Sequence, residues 1–284
     1  MGQCVEHELQ YYNQQQLWEG YIGNSREIAR ARETVRHIPD DVKTVLDIGC
    51  GNGVLTNMID RDFVVGMDFA NVPLRNVTKH AVCASIDEMP FKPDTFDLIL
   101  VTEVLEHLPE PIYRRALDEI ARLHAKYLLI SVPFDENLNV DVCKCDRCEH
   151  TFHPSHHCRV FTEGWYTTKF PGYIMTSVSY TSTMTTKNHT IARLKRQFDV
   201  YTDHDLVCCP ICGGPTRSSN PYLKYAFKGL TLADIMVKHI TGIKRPYHQI
   251  VLMTRQPMST TVGMMENSID RELCNDSNAI NRNY

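Results

Sequence analysis

With 284 residues the chain is long enough to bury one good core, and one domain carrying insertions is expected ahead of two full domains. A formal net charge of −4 leaves no overall basic footprint and argues against a long nucleic-acid substrate. No apolar run has the length to span a bilayer. Met1-Gly-Gln-Cys-Val-Glu6 lacks a signal peptide's basic and apolar regions, and Glu6 stands where a myristoylation pattern wants Ser or Thr, so a cytoplasmic protein is expected. Eleven cysteines in that compartment point to metal binding or buried thiols and away from disulfides.

Residues 1–40 read as an N-terminal helical cap, from Tyr11 through Trp18 and on in a helical pattern to about Arg36. Strand patterns follow at 44–48, 63–67, 80–84, 97–101 and 127–132, separated by helix-like segments. The clearest helix is Arg114–Leu123, with Leu117, Ile120, Ala121 and Leu123 apolar. Such alternation over 41–135 predicts an α/β fold, a parallel sheet with helices on both faces. A Cys/His insertion occupies 136–165. Residues 166–256 hold the rest of the sheet, a second cysteine insertion and helices, with β-rich runs at 173–181 and 248–254 expected as an antiparallel pair. The tail 257–284, rich in Asn, Ser and Thr, is expected to be disordered.

Val45-Leu-Asp-Ile-Gly-Cys-Gly-Asn-Gly53 reads as a buried strand running into a glycine turn that lets the backbone approach a ligand closely. A dinucleotide site wants G-x-G-x-x-G spacing and a pyrophosphate on the helix N-terminus. Here Asp47 precedes the glycines, where its carboxylate suits a cationic or amino group. Asp68 ends the second strand, where a carboxylate can accept both hydroxyls of a ribose. The run resembles motif I of class I S-adenosylmethionine methyltransferases. Met89-Pro-Phe91, Phe96-Asp97 and Glu103-Val-Leu-Glu-His107 agree with that family in order and context over roughly residues 44–134. The resemblance implies a Rossmann-like seven-stranded class I methyltransferase sheet. It implies S-adenosylmethionine held by Asp47, Gly49, Cys50, Gly51, Asn52, Gly53, Asp68, Phe69, Ser85, Ile86, Thr102 and Glu103. The family often has Asp where this chain has Ser85, which bears on the adenine contact. In related enzymes an N-terminal segment often folds over the cofactor; here the alternative is a helix that merely packs.

Two C-x-x-C knuckles, Cys145/Cys148 and Cys209/Cys212, the second in a C-P-x-C-G-G turn, predict a small zinc-binding insertion with a structural Zn²⁺ on four sulfurs. Their separation of about 60 residues exceeds ribbon spacing, so two insertions must meet in space. Cys143 and Cys208 are the alternative ligands, and one of His150, His153, His156 and His157 could complete the shell.

Glu103, Glu106 and His107 fall on one face of an expected helical turn. This E-x-x-E-H, with His157 ahead of Phe161-Thr162, looks like the divalent-metal motif of small-RNA terminal 2′-O-methyltransferases; the E-x-x-E-H alone also resembles ubiquinone-pathway O-methyltransferases. The resemblance implies that Glu103, Glu106, His107 and His157 hold Mg²⁺ or another divalent ion and that Glu106, His107 and His157 serve catalysis. The same residues occur in methyltransferases without metal, leaving His107 as a lone general base. The first functional reading is O-methylation of a sugar or other small-molecule or glycan hydroxyl, by resemblance to bacterial polysaccharide and natural-product enzymes. A second is methylation of a terminal RNA ribose, for which Lys224, Lys228, Lys238, Lys244 and Arg245 with Tyr222, Tyr225 and Phe227 would form the platform or else a solvated helix face. A third is a non-catalytic adaptor on the same fold, which the intact Asp47-to-Gly53 run opposes.

Overall fold

The computed structural model describes residues 2–20, 23–184, 189–202, 207–240 and 245–257; Lys244 and the tail expected beyond Pro257 lie outside the described residues. Three helices lead, α1 (Gly2–Tyr12), α2 (Gln15–Glu19) and α3 (Ser25–Arg36). Helix α3 begins where the Asn24 side chain accepts from the Arg26 N–H at 3.0 Å, satisfying one of the free donors of a first turn. There follow β1 (Thr44–Ile48), β2 (Phe63–Asp68), α4 (Asn71–Leu74), β3 (His80–Cys83), β4 (Leu98–Thr102), α5 (Glu110–Arg122) and β5 (Tyr127–Pro133); where helix-like segments were expected, only a 3₁₀ turn (Thr56–Met58) separates β1 from β2 and no helix separates β3 from β4. The remainder is β6 (Cys143–Lys144), β7 (Thr151–Phe152), α6 (Trp165–Lys169), β8 (Tyr173–Met184), α7 (His189–Gln197), α8 (Pro221–Ile240) and β9 (Arg245–Arg255).

The main sheet runs β3-β2-β1-β4-β5-β9-β8. Strands β1 to β5 pair in parallel, and β9 inserts antiparallel between β5 and β8. This is the expected Rossmann-like seven-stranded sheet, with its late antiparallel pair. The fourth strand starts one residue later than its sequence pattern suggests, because Asp97 caps the sheet edge: its carboxylate accepts from the N–H groups of Lys43 and Thr44 at 2.8 and 2.9 Å.

Alternation along the strands splits the core in two. Leu46, Ile48, Ile99, Val101, Leu128 and Ile130 face the layer of α5 and α6, and Val45, Val64, Leu98, Leu100 and Leu129 face Ala31 of α3. Residues Leu98–Val101 are fully buried, each side chain contributing about 1.5–3 kcal/mol. The strand ends that carry Thr102 and Glu103 therefore project from a stiff scaffold. Helix α5 fixes the segment after β3: the Arg122 guanidinium donates to the carbonyls of Phe91 and Met89 at 2.9 and 3.0 Å, and Met89 N–H donates to Glu119 at 2.8 Å.

Candidate active site

At the carboxyl ends of β1, β2 and β4 lies a cavity of about 540 Å³, the place where ligands of open α/β sheets sit. Asp47, Gly49, Cys50, Gly51, Asn52, Asp68, Phe69, Ser85, Ile86, Thr102 and Glu103 line it. Gly53 does not; a side chain there would meet Val77 and Asn57 instead. Gly49 (φ +70°) and Gly51 (φ +52°) hold left-handed backbone, and a Cβ on Gly51 would stand 2.6 Å from the Trp18 ring. The N-terminal helices close the cavity from above through Glu8, Tyr11, Tyr12, Leu17 and Trp18. They are tied down by the Trp18 indole donating to the Tyr12 carbonyl (2.7 Å) and by Asn13 accepting from the Val72 N–H (3.0 Å).

The buried polar atoms in this cavity are left partly unpaired. Asp47 accepts from the Thr56 hydroxyl at 2.6 Å through one oxygen, while its other oxygen is buried without a donor. The Asn52 side-chain nitrogen is buried without an acceptor. Burial pushes the Asp47 carboxyl up to about 7, against the pull of Thr56 and Arg30. Asp68 is also raised by burial, although its two oxygens accept from the N–H groups of Gly51 (2.8 Å) and Ala70 (2.9 Å). Burial and the charges of Asp47 and Asp68 raise Cys50, keeping it a thiol.

The turn after β4 corrects one expectation. Residues 103–107 form a bend and a turn, not a helix, and Glu103 sits at φ +56°. Its carboxylate therefore turns along the sheet edge, 3.1 Å from His248 Nε2 on β9 and 3.0 Å from the Ser131 hydroxyl on β5. Although burial opposes ionisation, the His248 charge and hydrogen bond pull Glu103 down to about 2. Glu103 thus stands apart from the metal set expected for it. Glu106, His107 and His157 do converge, each offering a ligand atom within 4.8 Å of the others. Glu106 is fully buried and neither carboxylate oxygen has a hydrogen-bond donor; burial and the Glu103 charge raise it well above the usual carboxylate range. Burial and the neighbouring His157 depress His107. His107 lines the cavity and its Nδ1 lies 3.2 Å from the Tyr12 hydroxyl, whereas Glu106 and His157 sit behind it.

Cys145, Cys148, Cys209 and Cys212 come together, their sulfurs within 4.8 Å of one another, with Cys145–Cys212 at 3.5 Å and Cys148–Cys209 at 3.6 Å. A tetrahedral Zn²⁺ with sulfurs at ~2.3 Å has S···S edges of about 3.8 Å, so the four thiols fit that ion. The N–H groups of Arg147 and Cys148 point at Cys145 Sγ (3.3 and 3.4 Å), and a Cβ on Gly214 would crowd the Cys145 and Cys212 sulfurs. Cys143 and Cys208 lie outside the set, and no histidine joins it among the described residues. His150 stacks on Phe152, His156 reaches the Cys208 carbonyl at 2.9 Å, and His153 and His157 flank Glu136.

Residues 45–126 match a family model described as a methyltransferase domain. An uncharacterized protein of Methanocaldococcus jannaschii is 38% identical over 81 residues, 28% of this chain and 35% of that protein. A ubiquinone biosynthesis O-methyltransferase of Neisseria meningitidis serogroup C is 31% identical over 83 residues, 24% of this chain and 35% of that enzyme. The chain thus spans about a third of the length of these curated relatives. Two solved structures are similar: N-methyltransferase NodS from Bradyrhizobium japonicum WM9 with S-adenosyl-l-homocysteine, at 13% identity over 89% of this chain and 98% of that one with a TM-score of 0.49, and an S-adenosylmethionine-dependent methyltransferase from Archaeoglobus fulgidus, at 16% over 84% and 98% with a TM-score of 0.48.

Several residues gathered at this edge by the fold carry no signal in the sequence. Arg30 of α3 lines the cavity with its guanidinium 2.6 Å from Glu27, yet a Glu and an Arg three apart on a helix look like an ordinary surface pair. His248 and Glu136 have no local signal; only strand order brings them to Glu103 and His157. The stretch from Tyr11 to Trp18 was marked as part of the cap, but which of its side chains reach the cavity was not legible.

Proposed function

We propose that the protein is an S-adenosylmethionine-dependent methyltransferase that transfers the methyl group to a hydroxyl of a sugar or another small-molecule or glycoconjugate acceptor. The carrying observation is the orphaned pair in the cavity. A free carboxylate oxygen on Asp47 wants a donor, and a free amide N–H on Asn52 wants an acceptor. The amino-acid end of S-adenosylmethionine offers both, an ammonium and a carboxylate, and the Gly49–Gly51 turn allows close approach. Asp68 would take the ribose hydroxyls and Ser85 with Ile86 the adenine. When bound, the cofactor supplies a methyl group made electrophilic by a sulfonium.

The acceptor oxygen must be held in line with that methyl group and lose its proton. His107 is the group at the cavity wall suited to this, oriented by Tyr12. In the other arrangement, with His107 a ligand instead of the base, a divalent cation held by Glu106, His107 and His157 would supply a Lewis acid that lowers the hydroxyl's pKa. Oxygen as the accepting atom is favoured by the O-methyltransferases matched over the core. The four cysteines are read as a structural zinc site, and reduced thiols fit a cytoplasmic protein, since no disulfide joins the nine cysteines whose side chains are described.

Labelled S-adenosylmethionine incubated with the protein and fractionated cell extract tests the acceptor class. Label in small carbohydrates or glycoconjugates is expected; label confined to RNA replaces the acceptor, and no label anywhere, with no S-adenosylhomocysteine binding, ends the enzyme reading. EDTA is expected to abolish turnover while leaving cofactor affinity nearly intact, Mg²⁺ or Mn²⁺ to restore it, and Glu106→Ala to be as damaging as His107→Ala. Full activity in chelator, with only the His107 variant impaired, would leave His107 as a general base and remove the cation.

A further inference from the structure

Glu136 lies three residues past the end of β5, and nothing in the chemistry above uses it. Its Oε2 is 2.5 Å from His157 Nδ1, and its Oε1 is 3.8 Å from His153 Nε2. All three side chains are close to buried, with 6% of His157 and 11% of each of the other two exposed. His153 stacks on His157 with centroids 4.8 Å apart and planes 20° apart, and the His153 Nδ1 accepts from the Ser155 N–H at 3.3 Å. On its other side His157 stands edge-on to His107, 4.7 Å between centroids.

Hydrogen-bond chemistry then limits the tautomer of His157. A carboxylate is an acceptor only, so the ring nitrogen it approaches at 2.5 Å must carry the proton. A neutral imidazole has one such proton; with Nδ1–H committed to Glu136, Nε2 is left as a bare lone pair. Such a lone pair suits a cation, as does Glu106, whose two buried oxygens have no hydrogen-bond donor and whose Oε1 lies 3.8 Å from His107 Nε2; Glu106, His107 and His157 each offer a ligand atom within 4.8 Å of the others. A carboxylate behind a ligating histidine is the usual device for fixing ring orientation and raising basicity.

We infer that Glu136 is a positioning residue: it holds His157 as the Nδ1–H tautomer and so presents Nε2, together with Glu106 and His107, to a divalent cation. The inference rests on the cation reading proposed above. His153 backs the arrangement, stacking on one face of the His157 ring with its Nε2 3.8 Å from the second oxygen of Glu136.

Mn²⁺ is the probe, because thiolates favour zinc and the four-cysteine set stays loaded with it. Electron paramagnetic resonance titration of the zinc-loaded full chain is expected to give one tight Mn²⁺ site in the wild type. Glu136→Ala should weaken it about 10–100-fold, and Glu136→Gln, which keeps an oxygen acceptor, should recover part of that loss. His157→Ala should remove the site, and S-adenosylhomocysteine affinity should stay unchanged in all four proteins. Long-range ¹H–¹⁵N spectra of the metal-free wild type should show His157 protonated on Nδ1; this readout needs no variant to fold. No Mn²⁺ site in the wild type overturns the cation reading and the inference with it. Equal Mn²⁺ affinity in wild type and Glu136→Ala, or His157 protonated on Nε2, overturns the role of Glu136 alone. A Glu136→Ala loss as complete as that of His157→Ala makes Glu136 a direct ligand and also overturns it.

Discussion

Asp47 should make cofactor binding depend on pH in a calculable way. Burial lifts its carboxyl to about 7, because the free oxygen has no donor and the Thr56 hydroxyl and Arg30 compensate only in part. An ammonium can pair only with the ionised form. If binding requires that form, apparent affinity for S-adenosylhomocysteine falls as the acid form accumulates. From pH 8 to pH 6 the loss is about tenfold, about 1.4 kcal/mol, and binding releases about half a proton per site at pH 7 and close to one at pH 6. The ligand-free protein shows the opposite sign. A carboxyl whose folded pKa is raised contributes stability that is fully present below its unfolded value near 4 and is lost as pH rises through about 7. Calorimetry with S-adenosylhomocysteine at pH 6, 7 and 8, in buffers of different ionisation enthalpy, measures both affinity and protons released. Asp47→Asn should bind more weakly at pH 8 and show little slope between 6 and 8. The same slope in wild type and Asp47→Asn, or no slope in the wild type, would refute the assignment of Asp47 to the ammonium.

Two further outcomes follow from the geometry of the lid and the knuckles. Gly51→Ala puts a methyl group into the Trp18 ring from left-handed backbone, so the N-terminal helices should lift, S-adenosylhomocysteine affinity should drop tenfold or more, and Trp18 fluorescence should shift to the red; unchanged affinity and emission would mean the lid does not rest on Gly51. Purified protein should carry about one zinc per chain, and Cys209→Ser should release it and lower the thermal midpoint, because binding energy at a structural site is folding energy; metal-free protein of unchanged stability would remove the zinc site.

What could be read in the sequence was local or periodic. The apolar runs of β1, β2, β4 and β5 are buried on both faces, so they stand out without knowledge of their neighbours, and the glycines of 49–53 signal a turn wherever they occur. Their alternation with helical segments was enough for a parallel sheet with Asp47 and Asp68 near the ends of its first two strands; the strand order came only with the structure. The knuckles at Cys145/Cys148 and Cys209/Cys212 also announced themselves, since each pair lies within one short turn. Contacts between distant segments were beyond it. The E-x-x-E-H run names its residues but not its backbone, and the left-handed conformation at Glu103 sends that carboxylate across two strand ends to Ser131 and His248 while Glu106 and His107 turn inward. The insertion of β9 beside β5 brings His248 to that edge, and the loop after β5 sets Glu136 against His157; neither follows from spacing along the chain. Residue chemistry is written in the sequence, but the partner that sets each group's charge, tautomer and direction is chosen by packing between segments tens of residues apart.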